Sequence, residues 1–219
     1  LSEFLSRHYN KRVILLIDEY DVPMARATSN GYYKEMLEIM KGFMQALKDN
    51  QCIKLAVITG CLKIAKESIF TGTNNFVSNT ITSSRLNEYY GFVQSEVDRI
   101  LEDADIKGKE EVMKKWYDGY RFGDVDVYCP WDVMCYVDDL QSNPNAKPDE
   151  YWKDTSDNAI IRSFIDYAGA SITKKMETLM SGGYIVQRVD ENLTYDYLHS
   201  SEENLWSMMY LTGYLTQVR

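Results

Sequence analysis

The 219-residue chain lacks a hydrophobic run long enough to cross a membrane. Its longest purely aliphatic run is Val13 to Ile17, whereas a transmembrane helix needs roughly 20 apolar residues. The first residues, LSEFLSRHYN, are amphipathic and polar, which is not the pattern of a secretory signal peptide within this chain. We therefore predict no membrane contact and a cytoplasmic location. The start at a Leu rather than a Met leads us to expect that the natural N-terminus lies upstream.

Histidine is scarce, and no two cysteines have Cys-x-x-Cys spacing. The only histidines are His8 and His199, and neither lies near a cysteine in the sequence. The four cysteines are Cys52, Cys61, Cys129 and Cys135. This arrangement favours isolated thiols in a reducing compartment over zinc sites or disulfides. No nucleophile elbow accompanies either histidine, so a Ser-His-Asp hydrolase is poorly supported.

Positive charge is in deficit. The chain has 24 Lys plus Arg against 33 Asp plus Glu, which gives a net charge of −9. A chain of this charge repels phosphate backbones on average, so bulk charge does not support nucleic-acid binding, although a local basic patch is compatible with it. The composition, with 45% hydrophobic and 26% charged residues, is that of a globular protein able to bury a core without metal or disulfide staples.

The first third of the chain predicts a βαβ unit. The continuous apolar run of Val13 to Ile17 predicts a strand buried on both faces, as in a parallel sheet. Apolar residues at helical spacing from Tyr33 to Leu47 predict a crossover helix, and Ile53 to Ile58 predict a second buried strand. A strand, a long helix and a strand in this order predict two parallel strands.

The remaining sequence predicts mainly helices. Pro23 and the stretch Ala27 to Gly31 predict a loop, and Val77 to Thr82 predict a third strand. Helices are predicted at residues 2–9, 62–67, 95–101, 109–117, 130–140, 157–168, 172–180 and 202–211, a short hairpin or a loop at 120–128, a hairpin at 184–198, and a linker at 142–150. Helices followed by a two-stranded hairpin are typical of a winged-helix module, which we predict for the C-terminal part.

The candidate catalytic residues are Asp18 and Glu19, directly after the first predicted strand. A nucleoside triphosphatase needs two carboxylates at a strand end, one to hold the Mg²⁺ that bridges the phosphates and one to orient the attacking water. Successive strand residues face opposite sides, so neighbouring acids can do separate work. Acids that simply end a strand produce the same pattern, and the motif alone leaves both interpretations open.

Two further residues are candidate nucleotide contacts. Thr59 ends the second predicted strand, where this class of enzyme places a polar residue that senses the γ-phosphate. The alternative for Thr59 is a hydroxyl that caps the following turn. Arg85 follows the third predicted strand and is a candidate phosphate contact, with an ordinary surface salt bridge as the alternative.

Six segments, in this order, resemble the bacterial AAA-ATPase-like domain family. They are LLIDEYDVPM (15–24), ITGCLKIAKESIFTGTNN (58–75), YYGFVQSEVDRIL (89–101), WYDGYRFG (116–123), VYCPWDVMCYV (127–137) and YWKDTSDN (151–158). The resemblance implies an α/β fold: a partial P-loop NTPase-type parallel sheet followed by a mostly helical, winged-helix-like region. It also implies that Asp18 and Glu19 are the Walker B pair and that Thr59 lies at the sensor position. In this family a PD-(D/E)XK nuclease-like domain often follows. The 116–123 and 127–137 segments resemble family signatures without an assigned chemical role.

The chain departs from the family at the phosphate-binding loop. No Gly-x-x-x-x-Gly-Lys-Ser/Thr string occurs, and the nearest Gly-Lys pair, Gly108-Lys109, is followed by Glu. The resemblance places this loop upstream of Leu1, so we expect the chain alone to hold neither ATP nor Mg²⁺ tightly. Without the P-loop strand, the strand at Ile53 to Ile58 would keep an unpaired edge. We expect this edge to be hidden by self-association, by rearrangement or by the chain's own helices.

These observations lead to a three-part division and two functional hypotheses. We predict a truncated P-loop ATPase core at 1–90, a helical lid-like region at 91–141 and a winged-helix-like region at 142–219. The leading hypothesis is a fragment of an ATPase that in full length binds and hydrolyses Mg-ATP. The alternative is a non-catalytic protein-interaction module that uses the C-terminal region. Acidic residues Asp190, Glu191 and Asp196 near Arg188 argue against a DNA-reading wing and favour a protein partner.

Overall fold

The computed structural model describes residues 1–62, 76–152, 169–193 and 201–218. These residues form the predicted mixed α/β structure, with a two-stranded parallel sheet and a two-stranded antiparallel sheet. The elements are α1 (Ser2–Tyr9), β1 (Val13–Ile17), α2 (Val22–Asn30), α3 (Tyr33–Gln45), β2 (Ile53–Ile58), a 3₁₀ turn (Asn87–Tyr89), α4 (Gln94–Asp103), α5 (Glu110–Tyr117), β3 (Tyr120–Phe122), β4 (Val125–Val127), α6 (Pro130–Ser142), α7 (Ala170–Met180) and α8 (Glu202–Leu211).

The chain folds as two compact units. The first comprises residues 1–77 and 185–212, and the second comprises residues 78–184 and 213–219. The first unit therefore contains the parallel strands and α8, and the second contains the antiparallel hairpin with helices α4 to α7. The three-part division at residues 90 and 141 stays a prediction.

The predicted βαβ unit is confirmed. Strands β1 and β2 are parallel, and two helices, α2 and α3, lie between them in the chain. The prediction of a loop at Ala27 to Gly31 is wrong, because α2 extends to Asn30. Pro23 lies in the first turn of α2, where its missing N–H would be unsatisfied in any case. Gly31 ends the helix in a left-handed conformation, with φ of 77°, that glycine adopts readily.

The prediction that both strands are buried on both faces is wrong. Ile14 is paired with Leu55 and Leu16 with Val57, and their exposed fractions are 55%, 53%, 72% and 45% respectively. Alternate residues of β1 are only partly exposed, so the two faces of the parallel pair differ. Strands of parallel sheets normally carry helices over both faces. The aliphatic run therefore predicted the strand correctly, but it wrongly predicted that both faces of the strand are buried.

Helices supply most of the core of the first unit. Met24 and Ala27 on α2 and Met40 and Met44 on α3 are buried at helical spacing. Almost the whole of α8 is also enclosed, since residues 205–210 are all buried. The helices predicted at 2–9, 33–47 and 202–211 are confirmed as α1, α3 and α8.

The second unit is built around a helical core with a short hairpin beside it. The predicted hairpin at 120–128 is confirmed as the antiparallel pair β3 and β4. The predicted helices at 95–101, 109–117, 130–140 and 172–180 are confirmed as α4, α5, α6 and α7. The core of this unit consists of Val97, Leu101, Met113, Tyr117, Tyr128, Val133, Tyr136, Val137 and Leu140.

Two predicted strands do not form. Residues 77–82 contain no strand, because the Thr80 backbone exchanges hydrogen bonds of 3.0 Å with the backbone and side chain of Ser83 and closes a turn instead. Residues 184–189 also contain no strand. There the hydroxyl of buried Ser207 accepts a hydrogen bond of 2.9 Å from the backbone N–H of Asp190. Helix α8 thus holds this segment through a side chain rather than through a ladder.

Several predicted elements lie outside the described residues. These are the helices at 63–67 and 157–168 and the second hairpin strand at 194–198. Among the helices that the structure describes, none combines the length and the apolar composition of a membrane span.

Substitutions of an exposed and of a buried residue in the first unit should change the free energy of unfolding by different amounts. We expect Leu16→Thr to change the free energy of unfolding by no more than about 0.5 kcal/mol, because Leu16 is 72% exposed on a β-strand. Met24→Ala should cost about 2–5 kcal/mol, because the Met24 side chain is fully buried. Urea unfolding of both variants measures the difference. An equal cost for both would show that the face carrying Leu16 is covered in solution.

Candidate functional site

The candidate site lies at the carboxyl ends of β1 and β2. The backbone N–H of Thr59 donates to the carbonyl of Ile17 at 2.9 Å, and the backbone N–H of Tyr20 donates to the carbonyl of Thr59 at 2.9 Å. Because Thr59 bonds residues on both sides of Asp18 and Glu19, these two acids project from the ladder as a short turn. Open α/β sheets bind ligands at this end of their strands.

The structure brings Asp18, Glu19 and Thr59 together. The hydroxyl of Thr59 donates a short hydrogen bond to Oδ1 of Asp18. The backbone N–H of Glu19 donates to the same oxygen at 3.1 Å. All three residues are exposed, so a ligand reaches them without any rearrangement of the core.

Glu19 has a left-handed backbone, with φ of 52°. A non-glycine residue in this region is uncommon and is sustained only where the surroundings fix it. The turn, rather than the alternation of strand residues, therefore separates the carboxylates of Asp18 and Glu19. The prediction that the acids follow the strand directly is correct, but the backbone that divides them was not visible in the sequence.

Asp21 is a member of the site that the sequence reasoning missed. Its carboxylate is 2% exposed and accepts hydrogen bonds from the backbone N–H groups of Cys61 at 3.2 Å and Leu62 at 3.0 Å. Asp21 occupies the N-cap position of α2, yet its side chain makes no cap hydrogen bond there. It instead fixes the loop that follows β2. The third acid in the string Asp18-Glu19-Tyr20-Asp21 was the available signal.

Tyr20 and Gly60 complete the junction between the two segments. The hydroxyl of buried Tyr20 donates to the carbonyl of Leu62 at 2.6 Å. A Cβ added to Gly60 would lie 2.6 Å from Oδ1 of Asp21 and 2.6 Å from the Tyr20 ring. The loop after β2 therefore needs glycine at position 60 to approach the turn after β1 so closely.

The electrostatic field at the site is negative. Desolvation by burial raises the pKa of the Cys61 thiol, and the carboxylates of Asp21, Glu19 and Asp18 raise it further. The Cys61 thiol is therefore held in its protonated form, which is the weaker nucleophile. A field of this sign favours the approach of a cation to the turn.

Arg85 is described in a different unit from the other predicted site residues. It lies in an exposed bend of the second unit, whereas Asp18, Glu19 and Thr59 belong to the first. Its predicted contact with phosphate stays a prediction.

The donor set of the turn suits a hydrated Mg²⁺ better than a closed metal cage. Among the described residues, no group of three or more His, Cys, Asp or Glu side chains is placed to hold a metal ion. Oδ1 of Asp18 is occupied by two donors, but no hydrogen bond from the described residues reaches Oδ2. Mg²⁺ keeps several waters and is bound through one or two carboxylates plus phosphate oxygens. Asp18 beside the Thr59 hydroxyl fits that mode.

Asp21→Asn should weaken the junction. An amide offers one acceptor oxygen where the carboxylate uses two, so one buried backbone N–H loses its partner at a cost of about 1–3 kcal/mol. Urea unfolding measures this, with the exposed Asp138→Asn on α6 as the matched control, for which we expect a change within about 0.5 kcal/mol. Equal stability of the two variants would contradict the role of Asp21.

Gly60→Ala should destabilise the first unit by about 1–3 kcal/mol, because the added methyl meets Asp21 and the Tyr20 ring. The matched control is Gly42→Ala within α3, where an added Cβ meets nothing within 4 Å. That change should stabilise the helix by roughly 0.5–1 kcal/mol. Thermal unfolding of the two variants measures these stability changes of opposite sign. An unchanged stability in Gly60→Ala would contradict the close approach of Gly60 to Asp21 and Tyr20.

Comparison with known proteins gives a local family match and one distant relative. The chain is 24% identical over 209 residues to a protein of Azotobacter chroococcum mcd 1 described as an uncharacterized protein in vnfD 5′region, an alignment that covers 94% of this chain. The chain spans 37% of the length of that relative. No solved structure matches. The family model described as predicted AAA-ATPase matches residues 1–70, which include Asp18, Glu19, Asp21 and Thr59, so the predicted resemblance to this family is confirmed over that segment.

Proposed function

We propose that this chain supplies the metal-binding and water-orienting part of an ATPase whose substrate is Mg-ATP. The observation that carries the proposal is the hydrogen bond from the Thr59 hydroxyl to Asp18, with Glu19 adjacent, at the carboxyl ends of two parallel strands. The match of residues 1–70 to the family of predicted AAA-ATPases supports the same chemistry. In this proposal the parallel pair is part of a P-loop-type sheet, and Asp18 and Glu19 act as a Walker B pair.

Asp18 is the residue that would hold the magnesium ion. Its Oδ2 receives no hydrogen bond from the described residues, and Oδ1 is oriented by Thr59 and by the Glu19 N–H. The ion, when bound with the nucleotide, would neutralise charge on the terminal phosphates. The hydrogen bonds at Oδ1 keep Asp18 in one rotamer, so the carboxylate is positioned before the ligand arrives.

Glu19 is the residue that would orient and polarise the attacking water. Its left-handed backbone directs it away from the course of the strand, and its side chain is exposed. Glu19 can therefore face a water molecule while Asp18 faces the metal. Thr59 links the two strand ends and is placed to respond to the state of the phosphate through its bond to Asp18.

The phosphate cradle has to come from outside these 219 residues, because they contain no Gly-x-x-x-x-Gly-Lys-Ser/Thr string. In our proposal the intact protein or a partner supplies it. Under this assignment, the turn supplies only the carboxylates of a nucleotide site. The backbone amides and the lysine that bind the phosphates belong to the phosphate-binding loop.

The proposal is tested by Glu19→Gln in the intact protein. We expect retained binding of Mg-ATP and a loss of hydrolysis of at least about 100-fold, because the amide cannot accept a proton from water. Nucleotide binding is measured by equilibrium titration and turnover by phosphate release. The control is Glu35→Gln on the exposed surface of α3, which should leave both quantities unchanged.

Two outcomes would contradict the proposal. Unchanged turnover in Glu19→Gln would remove Glu19 from its role while leaving ATP as the substrate. Absence of any ATP hydrolysis by the intact protein, under conditions in which Glu35→Gln and the natural protein are both folded, would reject the ATPase assignment itself.

A further inference from the structure

The two signature segments at 116–123 and 127–137 form one pocket in the second unit. The pocket has a volume of about 240 Å³ and is lined by residues of both segments together with residues 213–216. The backbone N–H of Arg121 donates to the Thr216 hydroxyl at 3.0 Å, which holds the 213–216 segment beside β3. Gly213, at φ of 84°, allows this segment to approach the Tyr120 ring. Residues far apart in the sequence thus build one wall.

Four aromatic side chains line the pocket. The aromatic lining residues are Trp116, Tyr117, Tyr120 and Tyr214. Tyr117 is fixed from behind, because its hydroxyl donates to the carbonyl of Asp149 at 3.1 Å and its ring packs 5.6 Å from that of Tyr136. Trp116 is 49% exposed, so its indole ring lies partly open to solvent at the pocket. The pocket therefore presents one rigid aromatic wall and one accessible aromatic surface.

The carboxylate of Asp132 lies among these rings. Asp132 lines the pocket, and its Oδ1 is shielded from solvent and has no hydrogen-bond partner in the described part of the chain. The Cys129 thiol and the backbone of Trp152 bond the carboxyl group, and the pocket-lining residues that the structure describes include no lysine or arginine. Desolvation raises the pKa of Asp132, because taking the charged form out of water is costly.

This surface is complementary to an organic cation. A positive group would compensate the Asp132 carboxylate, and its faces would rest on tryptophan and tyrosine rings, whose π-electrons attract cations. A phosphate or carboxylate ligand would instead meet like charge. The volume is below the roughly 300–1,000 Å³ of sites for drug-sized ligands, so the pocket suits a single head group.

We propose that this pocket binds one guanidinium or alkylammonium group, with Asp132 as its counter-ion and Trp116 and Tyr120 as its aromatic contacts. The group comes either from the arginine or lysine side chain of a protein partner or from a free small ammonium compound. This inference is independent of the proposed use of ATP, since the lining residues that the structure describes belong to the second unit.

The test is titration of the full chain with two cations and their neutral isosteres. The probes are N-acetyl-arginine amide against N-acetyl-citrulline amide, and choline against its neutral carbon isostere. Binding is followed by the indole N–H resonance of Trp116, which is assigned from the spectrum of Trp116→Leu. We expect at least one cation to shift this resonance saturably in the millimolar range and both neutral isosteres to leave it unchanged. A preference for the arginine compound indicates a protein side chain, and a preference for choline indicates a small quaternary ammonium compound.

Variants with matched controls separate this site from general surface binding. We expect Asp132→Asn and Trp116→Leu each to weaken cation binding about tenfold, which corresponds to about 1.4 kcal/mol. Binding to Asp132→Asn and to the controls is followed by the Trp116 resonance, and binding to Trp116→Leu by calorimetry. The controls are Asp138→Asn, an exposed acid on the same helix, and Trp131→Leu, which is 51% exposed but does not line the pocket. Both should bind as the natural chain does.

Three results would overturn the proposal. They are no shift with either cation, equal shifts with the neutral isosteres, and undiminished binding in folded Asp132→Asn. If Asp132→Asn does not fold, Trp116→Leu decides the question, because Trp116 is half exposed and its replacement leaves the core intact. Undiminished binding in that variant also overturns the proposal.

Discussion

The backbone of Thr59 is the contact on which the candidate nucleotide site depends. It accepts from Tyr20 and donates to Ile17, and so forces the intervening acids out of the strand. Extended residues at this position would continue the ladder and point Asp18 and Glu19 to opposite faces of a sheet. Because the ladder closes around them instead, both carboxylates stay at the strand ends. This closure requires the left-handed backbone conformation of Glu19, which is unfavourable in free energy. Contacts in the buried junction nearby offset that free energy.

That junction is unusually polar for a buried contact. Asp21 satisfies two backbone amides of the loop after β2, and Tyr20 satisfies a carbonyl of the same loop. Buried polar groups stabilise a unique geometry only when each finds a partner, and this condition is met between the two segments by side chains that are adjacent in the sequence. The exposed residues Asp18 and Thr59 can therefore gain or lose a ligand without disturbing the buried junction beneath them. A site is preorganised when its exposed functional side chains are supported by buried residues whose polar groups are all hydrogen-bonded.

The sequence predicted the site to the extent that local pattern determines it. Aliphatic runs located both strands and their parallel pairing, and the acids after Ile17 located the turn. Two things depended on contacts between distant residues and were missed. The exposure of Leu16 depends on what covers the sheet, which an apolar run does not specify. The role of Asp21 depends on two amides 40 and 41 residues away. The strand predicted at 77–82 is replaced by a local turn in which the Ser83 hydroxyl accepts from the backbone of Thr80. Beside the strand predicted at 184–189, the distant Ser207 hydroxyl contacts the carbonyl of Arg188 and the N–H of Asp190.

The two candidate sites carry acids in opposite surroundings, and under the two proposals this difference would select different cations. Asp18 is exposed and retains an oxygen open to water, which suits Mg²⁺ because that ion gives up its hydration reluctantly. Asp132 lies beside aromatic rings with a desolvated oxygen, which would oblige a strongly hydrated ion to shed water that the rings cannot replace. A guanidinium or quaternary ammonium group is more weakly hydrated than Mg²⁺, and its contact with the aromatic rings compensates for the water that it loses. Under both proposals, carboxylates of equal formal charge would therefore differ in ligand according to the hydration that their neighbours allow.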